Sequence, residues 1–469
     1  MKLNKNSAAL LLIILAGFAL RIYRLNSESF WLDECISVGV ARLGIGSIIM
    51  KLYGSFHPPF YYLILHFWIG LFGDAEASTR FLSALIGTGS IFMIYRLGRL
   101  VFDEGAGLWS ALFLAVSQFH VRYSQETRMY GLAVLLALIS FYFFAKLLKK
   151  RSRRDAACYV ISTFLLLLTH FSAFLIILAQ NIYVFTARAL KKEDARQLGV
   201  RRWLMFQGIL LVLCMPYMGS WMKSLAYVQG GRFWLDKPTA STVAGTFRTY
   251  AGSSLLLPVF LALALLSSLG GINYLLLDWL VAPHAVLLVM SLSSASLYLT
   301  KYTIVASPPL YLLAADGMKK IRPRLVRIAA ACAVVIFSLV SLSDYYLNIH
   351  KPQWREAVRF IDANVRPADT IVFNDRTSKD MIVDAYYFKR KDVTEEMFPG
   401  VLTRAPYVLC TKENTEMLWN SVNGRERVWI VLSHVRDVDG VVQGTFRRSH
   451  KLISHKRYNV IDVYLFEKR

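Results

Sequence analysis

Long apolar runs without a single charge leave this chain few places to fold except a lipid bilayer. Ser7–Leu20 is one such run, Gly131–Ala145 another and Leu255–Leu269 a third. An apolar block of about 17–25 residues is long enough to cross the hydrocarbon core as a helix. No strand-like alternation runs through the blocks, so helices are the element that can satisfy its own backbone there. The whole chain of 469 residues is 55% hydrophobic, with a mean hydropathy of +0.42.

A net charge of +23 would ordinarily raise nucleic acid as a partner. The positions argue otherwise, because the basic residues gather just beyond apolar blocks. Lys146, Lys149, Lys150, Arg151, Arg153 and Arg154 form one cluster. Lys191, Lys192, Arg196, Arg201 and Arg202 form a second, and Lys319, Lys320, Arg322, Arg324 and Arg327 a third. Such loops stay in the cytoplasm and fix the orientation of the chain. Topology accounts for the charge, and no nucleic-acid partner is expected. Five scattered cysteines without a CxxC spacing indicate neither a zinc site nor a disulfide framework. Lys2 and Lys5 before an apolar run imitate a signal peptide, but no small-x-small cleavage site follows and Arg21 and Arg24 do. An uncleaved anchor is expected.

Placing the basic loops inside gives about eleven crossings. The expected helices run over about 7–24, 79–100, 105–121, 128–147, 156–171, 173–190, 203–220, 253–270, 273–298, 302–318 and 326–346. The N-terminus is then cytoplasmic, and 25–78 and 221–252 are external. Gly270-Gly271 is the softest turn, since it carries no positive charge. Within 25–78, the stretches Cys35–Tyr53 and Pro59–Phe72 suit helices lying in the interface, with Trp31, Tyr53, Tyr61, Tyr62 and Trp68 at headgroup depth. Residues 1–346 form the membrane domain. After Lys351 the texture changes: "WREAVRFIDANV" has helical spacing, and "DTIVFN", "RVWIVLSH" and "NVIDVYLFE" read as strands. Residues 351–469 are expected to be a small soluble α/β domain on the external side.

Ionisable groups near membrane depth are costly, so their positions point to function. Asp33 and Glu34 follow the first helix. His57 and Tyr61 sit in "SFHPPFYYL", Glu126 and Arg128 in "RYSQETRMYGL", and Lys301 and Tyr302 in "LTKYTIVASPPLYLL". All fall on the external side of a topology derived from other residues. A carboxylate there can take a proton from an acceptor, and the cations can neutralise a phosphate leaving group. Asp33 and Glu34 are the candidate catalytic pair; His57, Tyr61, Glu126, Arg128, Lys301 and Tyr302 are the candidate substrate contacts. Each has a plainer reading as a solvated pair, a cap, a structural ion pair or a snorkelling cation. Their joint placement favours function. Arg80 and Arg248 read as interfacial anchors.

The order "DE" after the first helix, then "HPPFYYL", "STRFLSALIGTGSIFMIYRLGRLVF", "YSQETRMYGL" and "KYTIVASPPLYLLAADGM" resembles the bacterial branch of one superfamily. It comprises protein O-mannosyltransferases and the aminoarabinose transferases that modify lipid A, with the GT-C glycosyltransferase fold. The resemblance spans roughly residues 8–345, and the "WREAVRFI" start of the C-terminal domain is similar too. It implies a polyprenyl-phosphate-linked sugar donor (undecaprenyl in bacteria), an inverting in-line attack, Asp33 as base with Glu34 beside it, and Lys301 near the donor phosphate. It also implies a bacterial inner-membrane location with the C-terminal domain periplasmic. Where several relatives carry an aspartate this chain has Tyr130, and Glu126 lies one turn earlier.

The acceptor is open between a lipid, a glycan and a protein. Asp33, Glu34, His57 and Glu126 could supply ligands to a divalent metal, though no spacing enforces one and no cofactor is otherwise expected. A flippase for lipid-linked saccharides is the main alternative, with Asp278 the residue that most favours it. A polymerase or ligase of similar fold, and a membrane anchor whose C-terminal domain does the binding, are the others.

Overall fold

The computed structural model describes residues 4–53, 55, 57–192, 197–227, 235–293, 296–400, 407–437 and 439–469. Lys2 and Arg196, invoked above for the anchor and the second basic loop, lie outside the described residues, as does part of the loop 221–252. The chain divides into two compact units. One is Met1–Leu25 with Val40–Leu347, and the other is Asn26–Gly39 with Asn348–Arg469.

The first unit is helical throughout. It begins with α1 (Lys5–Ile22), α2 (Leu32–Ala41, shared with the second unit), α3 (Ile45–Leu52) and α4 (Phe60–Phe72). Then come α5 (Glu76–Val101), α6 (Glu104–Val116), α7 (Gln118–Ser124), α8 (Tyr130–Lys149), α9 (Arg153–Leu167) and α10 (Phe174–Ala189). The set closes with α11 (Val200–Tyr227), α12 (Ala240–Ala251), α13 (Leu256–Ser268), α14 (Tyr274–Ser293), α15 (Pro308–Lys320) and α16 (Arg324–Leu347).

Among the described residues, seven helices are long and apolar enough to span a membrane, or eight if α12 and α13, bent by 83°, count as one span. Eleven crossings were expected, and the difference has a physical cause. Three of the expected segments are the 13 residues of α6, the 15 of α9 and the 13 of α15. At about 1.5 Å rise per residue they reach roughly 20 Å, short of a core about 30 Å thick. The apolar stretch after Glu104 does not continue as one helix, because the Ser117 side chain accepts from the His120 N–H and starts α7. The polytopic helical architecture holds; the count of eleven does not follow from it. Within 25–78, Tyr61 and Tyr62 are fully buried in protein, so their rings do not face lipid headgroups. Arg80 is no anchor either: it is buried and donates to the Leu25 carbonyl at 3.1 Å.

The bundle is knit around α5, which packs against α1, α6 and α8, while α15 packs against α6 and α13. The α13–α15 contact is so close that a Cβ on Gly317 would lie 1.8 Å from the Leu263 carbonyl oxygen. Two break points hold each other's loose ends. The buried Arg21 guanidinium at the end of α1 donates to Ala115 O at 3.1 Å and Leu114 O at 3.2 Å, carbonyls that α6 leaves unmet where it stops. In return, the Gln125 amide donates to the Arg21 and Tyr23 carbonyls at 3.0 and 2.8 Å, ending α1.

The second unit is a small α/β domain, as its strand and helix patterns predict. Its five-stranded sheet has the order β2-β1-β3-β5-β4. β1 (Thr370–Phe373), β2 (Thr394–Met397) and β3 (Arg427–Ser433) are parallel; β5 (Ile461–Lys468) runs antiparallel to β3 and to β4 (His450–Tyr458). Val372, Ile430, Leu432, Phe446 and Phe466 are among its core residues. α17 (Trp354–Asn364) buries Trp354, Ala357, Val358 and Ile361, largely the stripe its sequence spacing marks.

Replacing Gly317 by alanine tests the helix contact. At an open helix position the change gains about 1 kcal/mol, but here the methyl meets a backbone carbonyl that cannot turn aside. A loss of about 1–3 kcal/mol is expected in thermal unfolding of the detergent-solubilised protein. Equal or greater stability would contradict the close α13–α15 approach.

Candidate functional site

The sequence candidates fall into the two units. Asp33 and Glu34 open α2 and are grouped with the C-terminal unit. Glu34 is fully buried and accepts from Lys351 Nζ at 2.9 Å. The surrounding segment is stitched to the same unit by short bonds. Ser29 Oγ donates to Pro352 O at 2.6 Å, the Phe30 N–H donates to Tyr387 Oη at 2.8 Å, and Tyr386 Oη donates to Cys35 O at 3.1 Å. The acidic pair is therefore held by residues more than three hundred positions later, which no local pattern announces.

The membrane unit holds the rest. Arg128 follows the α7 turn, where its N–H donates to the Glu126 carbonyl at 2.7 Å. The Glu126 carboxylate is buried and lies 3.7 Å from Arg122 Nε. Tyr130, at the start of α8, is buried with the Arg128 guanidinium and the Lys301 ammonium each 6.0 Å from its ring centre. Lys301 is also 5.8 Å from the ring of Tyr302. The structure brings together His57, Arg128, Lys301 and Tyr302, and adds one residue the sequence reading missed, His170. Its ring lies 5.5 Å from Tyr130 and 5.8 Å from Tyr302. Tyr61 stands one ring further back, 5.8 Å from Tyr62, which is itself 6.4 Å from His57.

His170 has a defined chemical state. Its Nδ1 accepts the Ser172 backbone N–H at 3.1 Å, so in the neutral ring the proton sits on Nε2. That Nε2–H is buried and has no hydrogen-bond partner among the described residues; the same holds for Nδ1 of His57. Burial first, then the Arg128 and Lys301 charges, push the His57 imidazole down to about 3. Burial, neighbouring His57 and the same two cations hold His170 well below its ordinary value. Two cations and a neutral N–H donor thus share one partly enclosed place, chemistry suited to an oxyanion such as phosphate. A lone histidine in "LLLLTHFSAFLIIL", between two apolar runs, was the signal for His170.

Among the described residues no three His, Cys, Asp or Glu side chains form a metal-holding group, and the cation-rich surroundings of His57 do not suit one. No step here is routed through a metal. Asp278 in α14 keeps one buried carboxylate oxygen without a hydrogen-bond partner among the described residues.

Residues 56–221 match the sequence model of the dolichyl-phosphate-mannose-protein mannosyltransferase family. No curated protein matches the chain in sequence. Solved structures do match. ArnT of Cupriavidus metallidurans bound to undecaprenyl phosphate superposes with a TM-score of 0.60 at 12% identity, covering 97% of both chains. The Archaeoglobus fulgidus oligosaccharyltransferase in complex with Zn and sulfate gives 0.59 at 12% identity, over 97% of this chain and 72% of that one. The oligosaccharyltransferase AglB of the same organism, with an inhibitory peptide and a dolichol-phosphate, gives 0.54 at 12% identity, over 98% and 74%. The chain has the GT-C membrane glycosyltransferase fold with a C-terminal sheet domain, and the superfamily resemblance seen in the sequence is borne out at that level.

The buried imidazoles make a pH prediction. Each ring is neutral when folded but takes up a proton near 6.5 once unfolded. The unfolded chain therefore binds more protons below that pH, and stability falls as pH drops from about 6.5 towards about 3. Each ring contributes at most about 1.4 kcal/mol per pH unit. Thermal unfolding at pH 7.5 and 5 should show the loss, and His170→Gln should make it shallower. An unchanged slope would contradict burial of a neutral ring.

Proposed function

We propose that this protein is a membrane glycosyltransferase that takes a sugar from a polyprenyl-phosphate carrier on the external face of a bacterial inner membrane. The observation that carries the reading is the cluster of Arg128, Lys301 and His170 Nε2–H beside His57. In a partly enclosed site these groups favour the second negative charge that develops on the departing polyprenyl phosphate over the single charge of the bound phosphodiester, which lowers the barrier. Two features of the comparisons support the donor class: the mannosyltransferase family match, and GT-C neighbours whose bound lipids are undecaprenyl phosphate and dolichol-phosphate.

In this reading Asp33 takes the proton from the acceptor hydroxyl or amine. The acceptor oxygen or nitrogen then bonds to the anomeric carbon as the carbon–oxygen bond to phosphate breaks, inverting that centre. The electron pair leaves on polyprenyl phosphate, held by Lys301 and Arg128. Glu34 acts through position, since its charge is tied to Lys351, while Tyr61, Tyr302 and Glu126 shape the donor pocket. The sugar is a hexose or pentose, and the acceptor a lipid, glycan or protein.

Purified protein given radiolabelled undecaprenyl-phosphate sugars and a membrane extract should transfer label. Asp33→Asn should lower the rate by about 10²–10⁴-fold, and Lys301→Ala should weaken donor use with the fold intact. Wild-type rates in Asp33→Asn would remove it as the base. For sidedness, Glu413→Cys, at an exposed position of the C-terminal unit, should react with an impermeant thiol reagent from outside the cell. Protection of that thiol in intact cells would reverse the orientation.

A further inference from the structure

A second polar cleft of about 560 Å³ opens beside the cation cluster, within the size range of small-ligand sites. Its walls include Arg122 and Tyr123 of α7, Arg248 and Thr249 of α12, and Ser253 and Ser254 at the break between α12 and α13. No acidic side chain lines it among the described residues. The break itself is informative. Gly252 turns the chain in the left-handed region at φ 95°, and the two helices diverge by 83°. Backbone freed from a helix at membrane depth is tolerated where it lines a wet or ligand-filled cavity, and here the cleft is that cavity.

Both arginines are placed for use. Arg122 is oriented by the buried Glu126 carboxylate at 3.7 Å, with its own side chain nearly half exposed. Arg248 is exposed, and its guanidinium folds over Gly245, 3.7 Å from where a Cβ there would sit. Tyr123 touches both places. Its ring lines the cleft on one side and meets Tyr130 at 4.9 Å on the other. The cleft adjoins the Lys301 cluster, since Thr300, next in the chain to Lys301, also stands in its wall.

We propose that this cleft is a second anion site, which binds a phosphate ester headgroup through Arg122 and Arg248 with the Thr249, Ser253 and Ser254 hydroxyls around it. Guanidinium forks match phosphate oxygens in pairs, and hydroxyls complete the remaining lone pairs. The inference stands whether or not sugar transfer is the activity. The phosphate ester can come from a lipid in the external leaflet or from a free ester, and the two sources are separable.

The test uses the full chain in an uncharged detergent, in a Lys301→Ala background so that the neighbouring cluster contributes little. Dioctanoyl phosphatidate and glycerol 3-phosphate are titrated, with dioctanoylglycerol as the uncharged control. Arg248→Gln should weaken binding of the phosphate probes by about tenfold or more, while Arg248→Lys, which keeps the charge but loses the fork, falls between the two and thermal unfolding is unchanged. Binding of phosphatidate alone assigns the site to a lipid headgroup; binding of both probes assigns it to a phosphate ester of either source. Equal affinity of Arg248→Gln and its parent, or dioctanoylglycerol binding as well as phosphatidate, overturns the proposal. Those outcomes leave label transfer by the wild type untouched, so the two readings fail separately.

Discussion

The membrane unit depends on how two broken helices share their loose ends. α1 stops with unmet carbonyls, and so does α6. Arg21 reaches from α1 to the end of α6, and Gln125 returns from beyond α7 to the end of α1. In lipid an unmet backbone carbonyl costs far more than it would in water. The reciprocal caps are what allow the helix to break on either side of the short α7, between Val116 and Tyr130. That irregular stretch carries Arg122, Glu126 and Arg128, so the chemistry of the site exists because the bundle can tolerate the break.

Charge around that stretch follows one logic. Arg128 and Lys301 sit where water is scarce, and protonating His57 or His170 beside them would add like charge to a poorly solvated place. The rings stay neutral, and His170 becomes a fixed N–H donor because Ser172 occupies its other nitrogen. Donors aimed in advance at a future negative charge need no reorganisation when it forms. The Arg122–Arg248 cleft uses exposed cations and a helix break instead. Two anion-seeking places that meet at the Tyr123 ring differ in how dry they are, and that difference distinguishes a reacting phosphate from one that is only held.

Much of this was legible in the sequence and some was not, for identifiable reasons. The strands Thr370–Phe373 and Arg427–Ser433 and the helix from Trp354 were readable because each is a single local pattern packed on one core. That His57, Arg128, Lys301 and Tyr302 would share one side of the membrane was expected from basic loops elsewhere, and the structure brings their side chains together. Arg21 read as a charged flank because nothing local reveals that α6 ends early enough to need it. Tyr61 and Tyr62 read as headgroup aromatics because the same rings suit a protein core. His170 was passed over because one histidine between apolar runs resembles a packed turn. The attachment of Asp33 and Glu34 to the C-terminal unit joins residues at opposite ends of the chain, and periodicity carries no information over that distance.

The central claim is that the Arg128–Lys301–His170 cluster holds the donor phosphate. A cryo-electron microscopy map of the protein with undecaprenyl phosphate tests it most directly. The account predicts phosphate density against Arg128, Lys301 and the Nε2 of His170, with Tyr130 and Tyr302 alongside. Phosphate density elsewhere, with the cluster filled only by water, would contradict it.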